Sequence, residues 1–221
     1  MAKRDYQNNY GSVTQILGVL RKIGLENWFK YNTAKFCDEK SSRGKIVGTQ
    51  IHAAIEGNIT GVQTPVETMY PEEVTNTLNS YLLFRKEHPE ITFNLVAEMP
   101  MTSESYGYNG TMDAEAVRSR IMLPADWKSG ECKKTKKGVF NPKPKIYDEM
   151  RYQLSAYVQL VNETRNIHVV NAIIVVFAKD TVAYNLYEMG EEELADCFSR
   201  GFLPALTIYN LQKEKKTYGK V

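Results

Sequence analysis

The chain of 221 residues is 43% hydrophobic and 24% charged, a composition that excludes collagen-like, disordered and multi-span membrane proteins and leaves an ordinary globular one. A length of this order suits one substantial α/β domain, expected to comprise an N-terminal helical part over 1–42, a core over about 44–187 and a C-terminal helix over 190–221. The formal net charge of +2 is too small to diagnose a nucleic-acid partner, so the distribution of charge matters more than its sum.

No run of about 18 apolar residues occurs, and the opening MAKRDYQNNYGS lacks the apolar core of a secretory signal. A cytoplasmic protein without a membrane partner is expected, in the bacterial host's cytoplasm if it is phage-encoded. Cys37, Cys132 and Cys197 are far apart and without CxxC spacing, which indicates free thiols rather than a disulfide framework or a zinc site.

Ser12-Val-Thr-Gln15 offers a capping box, and Ile16, Leu17, Leu20, Ile23 and Leu25 follow at helical spacing, with Gly24 a candidate break. A second helix is predicted from about Lys45 to Asn58, with Val47, Ile51, Ala54 and Ile55 as its apolar stripe and Thr49, His52 and Glu56 on a neighbouring face. A third begins at Pro71, with Glu72 and Glu73 favourable in its first turn, and ends at His88-Pro89. From Ile91 the period changes: ITFNLVAEM, GTMDAEAV and IMLPADWK read as three successive strands of an antiparallel meander. Lys133–Lys145 then holds six lysines and no acid, interrupted by Gly138, Pro142 and Pro144, and reads as a basic loop. A helix over Tyr147–Asn162, strands over Val169–Ala178 and Val182–Tyr187, and a helix from Gly190 to about Gln212 complete an α/β fold with a helix-covered sheet.

Asp113 and Asp126 stand thirteen residues apart on consecutive predicted strands, so a hairpin can bring the two carboxylates together. They offer hard oxygen ligands suited to Mg²⁺ or Mn²⁺, and Trp127 can add its backbone carbonyl. Lys128, two residues after Asp126, shares its sheet face because strand side chains alternate with period two. Taken alone, an Asp-x-Lys triplet on a strand is more often an exposed ion pair.

Four segments in order change that balance: Gly48-Thr49-Gln50-Ile51-His52 with Glu56 after it, Gly110-Thr111-Met112-Asp113, Asp126-Trp127-Lys128-Ser129-Gly130, and Gln153-Leu-Ser-Ala-Tyr157. Together they resemble the RecB-like and phage-exonuclease-like branch of the PD-(D/E)XK nuclease superfamily, over about residues 44–160. The resemblance implies a restriction-endonuclease-like core, a central mixed sheet of about five strands flanked by helices. It implies a metal site of His52, Asp113, Asp126 and the Trp127 carbonyl for one or two ions, with Lys128 as the catalytic lysine. Gln153 and Tyr157 match a QxxxY helix that in this branch supports the site or contacts DNA.

Glu98 is a further candidate, either an extra metal or water contact or a surface carboxylate. Glu56 reads as a helix-face charge or as a partner behind His52, and His88 and His168 as structural. Lys133, Lys134, Lys136, Lys137, Lys143 and Lys145 in the basic loop, with Arg151, are expected to meet DNA phosphates without reading sequence, and Arg118 and Arg120 can extend the patch. Tyr106 and Tyr108 either stack on bases of a single strand or pack in a turn. The three cysteines do not match the four-cysteine pattern of iron-sulfur members of the branch, so no cluster is expected. There is no GxxxxGK[ST] loop either, so unwinding would need a partner, such as a helicase, replication or single-strand-annealing protein.

The function so implied is a Mg²⁺- or Mn²⁺-dependent deoxyribonuclease, an exonuclease of recombination, repair or phage DNA processing, acting without strong sequence preference. The alternatives are a structure-specific endonuclease with the same site and a non-catalytic DNA-binding subunit with a nuclease fold. A homo-oligomer, such as a processive ring, is compatible with either activity.

Overall fold

The computed structural model describes residues 8–62, 69–132 and 143–218, apart from the side chains of residues 95–98 and 216–218. The chain runs through a two-residue strand β1 (Gly11–Ser12), α1 (Val13–Leu17), α2 (Ile23–Tyr31), α3 (Ala34–Thr60) and α4 (Pro71–Glu87). Next come the strands β2 (Thr92–Ser103), β3 (Tyr108–Arg118) and β4 (Ile121–Gly130). After them follow α5 (Asp148–Arg165), β5 (Asn171–Ala178), β6 (Tyr184–Gly190), α6 (Glu191–Asp196), a π-helical turn over Cys197–Phe202, and α7 (Leu203–Tyr218).

The capping box forms: Ser12 Oγ accepts from the Gln15 N–H, and the Gln15 side chain accepts from the Ser12 N–H. The break in this first helical stretch falls after Leu17, not at Gly24, which lies inside α2. The predicted second helix begins about three turns early, at α3, where the Thr33 side chain accepts from the Phe36 N–H. Gly61, at φ 76°, ends it in a left-handed conformation that suits glycine.

β2, β3 and β4 form the expected antiparallel meander. The β3–β4 hairpin turns on two residues, Ser119 and Arg120, both at positive φ, the geometry whose twist matches flanking strands. α5 then crosses over so that β5 pairs parallel to β4, and β6 returns antiparallel. The six-stranded mixed sheet thus runs β2-β3-β4-β5-β6, with β1 paired parallel to β3 at Tyr108 and Asn109, on the stretch beyond the β4 ladder.

β5 is buried on both faces, as its β-branched run predicts. Ala172, Ile174 and Val176 pack with α1, α5 and the C-terminal helices, while Ile173, Val175 and Phe177 pack with α3 and α4. The C-terminal segment is not one regular helix: between α6 and α7 the turn widens, and Gly201 there lies against the Tyr152 ring so closely that a Cβ would come within 2.3 Å. Among the described residues, no helix is long and apolar enough to cross a membrane.

Candidate active site

The β3–β4 ladder ends at the pair Ala114–Ala125, and the candidate residues stand where it ends. In the position of a further rung, the Trp127 N–H donates to Asp113 Oδ2 at 2.8 Å, so a carboxylate replaces a backbone acceptor. The pleat of β4 sends Trp127 into the core beneath α3 and α4, beside Phe84, Phe93 and Phe177. Asp126 and Lys128 point to the opposite face, toward α5.

α3 brings His52 to this point from the other side of the sheet. Ile51 and Ile55 are buried in the core, and His52, next to Ile51, reaches to 3.4 Å from Asp113 Oδ1. From α5, Gln153 Nε2 donates to the Tyr157 hydroxyl at 2.7 Å and lies 3.5 Å from Asp126 Oδ1. His52, Asp113, Asp126, Lys128, Gln153 and Tyr157 are thus brought together in one continuous group.

The electrostatics are those of two carboxylates with unlike surroundings. Burial opposes ionisation of Asp113, but the His52 imidazole, Lys128 and the Trp127 N–H outweigh it and hold the carboxyl down at about 2. Asp126 is fully buried, and burial pushes its carboxyl up to about 7; Lys128 pulls it down, and the Asp113 charge adds to the rise. Burial disfavours the charged forms of His52 and Lys128, yet the neighbouring carboxylates raise both, so the lysine is held as an ammonium.

Lys128 Nζ lies 2.6 Å from Asp126 Oδ2 and donates to the Trp127 carbonyl at 3.2 Å. The ammonium is thereby the ion-pair partner of Asp126 Oδ2, a buried oxygen. The Lys128 ammonium supplies the positive charge that this buried oxygen needs. Two carboxylates and a carbonyl form an oxygen donor set suited to Mg²⁺ or Mn²⁺, with His52 as a nitrogen donor beside Asp113. Among the described residues, no three His, Cys, Asp or Glu side chains stand in a group that could hold a metal ion.

Other candidates fall elsewhere. Glu98 lies on β2 between Ala97, paired with Ala114, and Met99, paired with Met112, which sets it abreast of Asp113; its side chain is outside the described residues. Lys133, Lys134, Lys136 and Lys137 are also outside them. The flanks of that loop are anchored: the Cys132 N–H donates to Asp180, and the Pro144 carbonyl accepts from Asn185. Lys143 and Lys145 are exposed beyond it, with Lys145 Nζ 5.0 Å from the centre of the Tyr147 ring.

Arg151 is engaged by Glu193 and Asp148, and Arg118 by Glu188, so neither guanidinium presents an unbalanced charge. Tyr108 is buried, donates to the Ala156 carbonyl and packs on Phe202, which makes it a core residue; Tyr106 is partly exposed against Phe198. His88 bonds Glu90 and Tyr184, and His168 bonds Glu191, both away from the site.

Sequence reasoning missed a cleft of about 250 Å³ lined by Tyr10, Ser12, Thr14, Gln15, Thr111 and Tyr157, which shares Tyr157 with the site. No local signal marks it, because β1 and α1 reach β3 only through tertiary pairing.

The sequence matches no protein-family model and no curated protein. Among solved structures, it is similar to a Eubacterium rectale protein described as a "Putative exonuclease", at TM-score 0.36 and 12% identity over 81% of this chain and 86% of that one. It is also similar to the protein SSO0001, at TM-score 0.32 and 15% identity over 71% of this chain and 73% of that one. Backbone agreement of this order does not establish a common fold.

Proposed function

We propose that this chain is a metal-dependent nuclease of the PD-(D/E)XK type that hydrolyses phosphodiester bonds in DNA. The observation that carries the reading is the gathering of His52, Asp113, Asp126 and Lys128 where β3 and β4 part, with Asp126 fully buried against the Lys128 ammonium. In this reading Asp113, Asp126 and the Trp127 carbonyl hold the ion, and His52 orients Asp113 or joins it as a ligand. When bound, Mg²⁺ or Mn²⁺ supplies a water acidic enough to ionise near neutral pH and positive charge for the phosphate oxygens.

The protein's own part is positioning. Lys128, held charged by its carboxylates, places an ammonium where a phosphate oxygen gains charge. Gln153 and Tyr157 form a hydrogen-bonded pair beside Asp126 that limits its rotation. No side-chain nucleophile is needed, because water attacks phosphorus directly. The finer reading is an exonuclease without sequence preference, with backbone contacts from the lysine loop.

The test incubates purified protein with end-labelled linear DNA and covalently closed circular DNA in Mg²⁺, Mn²⁺ or EDTA, alongside Lys128→Ala. Metal-dependent loss of linear DNA that spares the circle and disappears in the variant is expected. Cutting of the circle makes the protein an endonuclease, and no cutting under any metal removes the nuclease reading.

A further inference from the structure

α2 is an amphipathic helix without a buried residue. Ile23, Leu25, Phe29 and Tyr31 are exposed, Tyr31 to 76% and Phe29 to 49%, and Phe36 at the start of α3 joins them at 40%. Trp28 stands between Phe29 and Phe36, with ring centres 5.1 and 6.2 Å away, so three aromatic rings meet at the α2–α3 corner. A helix that buries none of its own residues does not hold such side chains as core.

The same stretch is basic. Residues 21–45 hold seven lysines and arginines against three acids, an excess larger than the net charge of +2 on the whole chain. Arg21 pairs with Glu26, Lys22 with Glu149 and Arg43 with Glu73. Among the described residues no carboxylate forms an ion pair with Lys30, Lys35, Lys40 or Lys45. Exposed rings interleaved with unpaired ammonium groups are the surface that single-stranded nucleic acid fits: every base offers a face to stack, and every linkage a phosphate to neutralise.

The arm also leads to the site. Lys45 stands two turns before His52 on the same face of α3, and Gly44 and Gly48 between them and beside them are open, with nothing within 4 Å of where a Cβ would lie. An open helix face therefore runs from Lys45 toward His52. We propose that α2 and the first half of α3 form a binding platform for single-stranded nucleic acid, along which a strand reaches the carboxylate site. The direction of travel rests on the nuclease reading, whereas the binding itself does not.

The test is therefore made in EDTA, where no cleavage can occur. Fluorescence anisotropy would compare oligo-dT, oligo-U and a DNA duplex of equal length on the native protein, Phe29→Ala/Tyr31→Ala, and Lys30→Ala/Lys35→Ala. Both aromatic positions are exposed, so the fold is expected to survive, and circular dichroism checks it. Loss of both rings should weaken single-strand binding about 10-fold or more and duplex binding less than about 2-fold. Removing the two lysines should flatten the salt dependence of single-strand binding by about 1.4 in log K against log salt.

Comparison of oligo-dT with oligo-U tells whether the strand is DNA or RNA, and tighter binding of either supports the platform. Unchanged affinity in the aromatic variant overturns it. So does an oligomer of the native protein that the aromatic substitutions turn into monomers without loss of oligonucleotide binding, since the corner would then be an interface between copies of this chain. If single-strand binding follows the prediction while the native protein cuts nothing in Mn²⁺, the platform stands and the nuclease reading falls.

Discussion

The Trp127 N–H donates to Asp113 Oδ2 at 2.8 Å, so the carboxylate nearest His52 also stands in for a missing rung of the sheet. Structure and chemistry meet in one side chain, and substitutions can separate them. Asp113→Asn keeps an acceptor for the Trp127 N–H and removes the charge, so it should fold with near-native stability and lose cleavage. Asp113→Ala leaves a buried N–H without a partner and should in addition cost about 1–3 kcal/mol in urea unfolding. Equal stability of the two variants would contradict this double role.

The metal-free protein should lose stability as pH rises from 5 to 8. Asp126 has a folded pKa of about 7, above its ordinary 3.8, so the folded state binds its proton more tightly. That contribution is full below about 3.8 and is lost as pH climbs through 7; at 1.36 kcal/mol per unit it amounts to roughly 2–4 kcal/mol. His52, also raised, acts in the same direction above its ordinary 6.5, whereas Asp113, held at about 2, does not change in this window. Urea unfolding in EDTA at pH 5 and pH 8 measures the sign, and Asp126→Asn should flatten the profile.

Divalent ions should relieve the same strain. At about 100 times its Kd, Mn²⁺ should stabilise the folded state by about 2.7 kcal/mol, a rise in Tm of roughly 5–10 °C for a domain of this size. Differential scanning fluorimetry with Mn²⁺, Mg²⁺ and Ca²⁺ checks it. Asp113→Asn and Asp126→Asn should show little of the shift, and an equal shift in both would place the ion elsewhere.

Tyr157→Phe removes the hydroxyl that receives the Gln153 amide and leaves the ring in its pocket. Unfolding stability should change by about 1 kcal/mol or less, while kcat falls on the order of 10-fold through looser control of Asp126. A change confined to KM would assign the pair to substrate contact instead.

Gly110→Ala should act on both fold and site. A Cβ there would lie 2.5 Å from Leu160 Cδ1 and 3.0 Å from the Tyr157 ring, so the side chains of α5 that cover β3 must give way. A loss of roughly 1–3 kcal/mol in thermal or urea unfolding is expected, with reduced cleavage at temperatures where the variant is still folded.

Most of the sheet and the site group was legible because burial leaves a period in the sequence. The ITFNLVAEM stretch of β2 alternates, β5 is an unbroken apolar run, and Asp126-x-Lys128 states its own shared face. The first half of α3 was not legible because it buries almost nothing: Cys37 alone is buried before Val47, and Ser41, Ser42 and Gly44 favour no helix. β1 exists only through its pairing with β3, and the π turn falls where Gly201 meets the Tyr152 ring of α5, a tertiary contact that the local sequence does not announce. Arg151 was legible as a charge, but its partners Glu193 and Asp148 are set by how α5 meets α6 and by its own helix.

The pleat of β4 also guards against misfolding. A slip of one residue would turn Trp127 toward α5 and thrust Asp126 and Lys128 among Phe84, Phe93 and Phe177. Two charges without water in an aromatic core cost several kcal/mol each, as much as a domain's whole margin of stability. A molecule in the wrong register therefore does not persist as an inactive look-alike. The core selects the same alignment that the carboxylates and the lysine require.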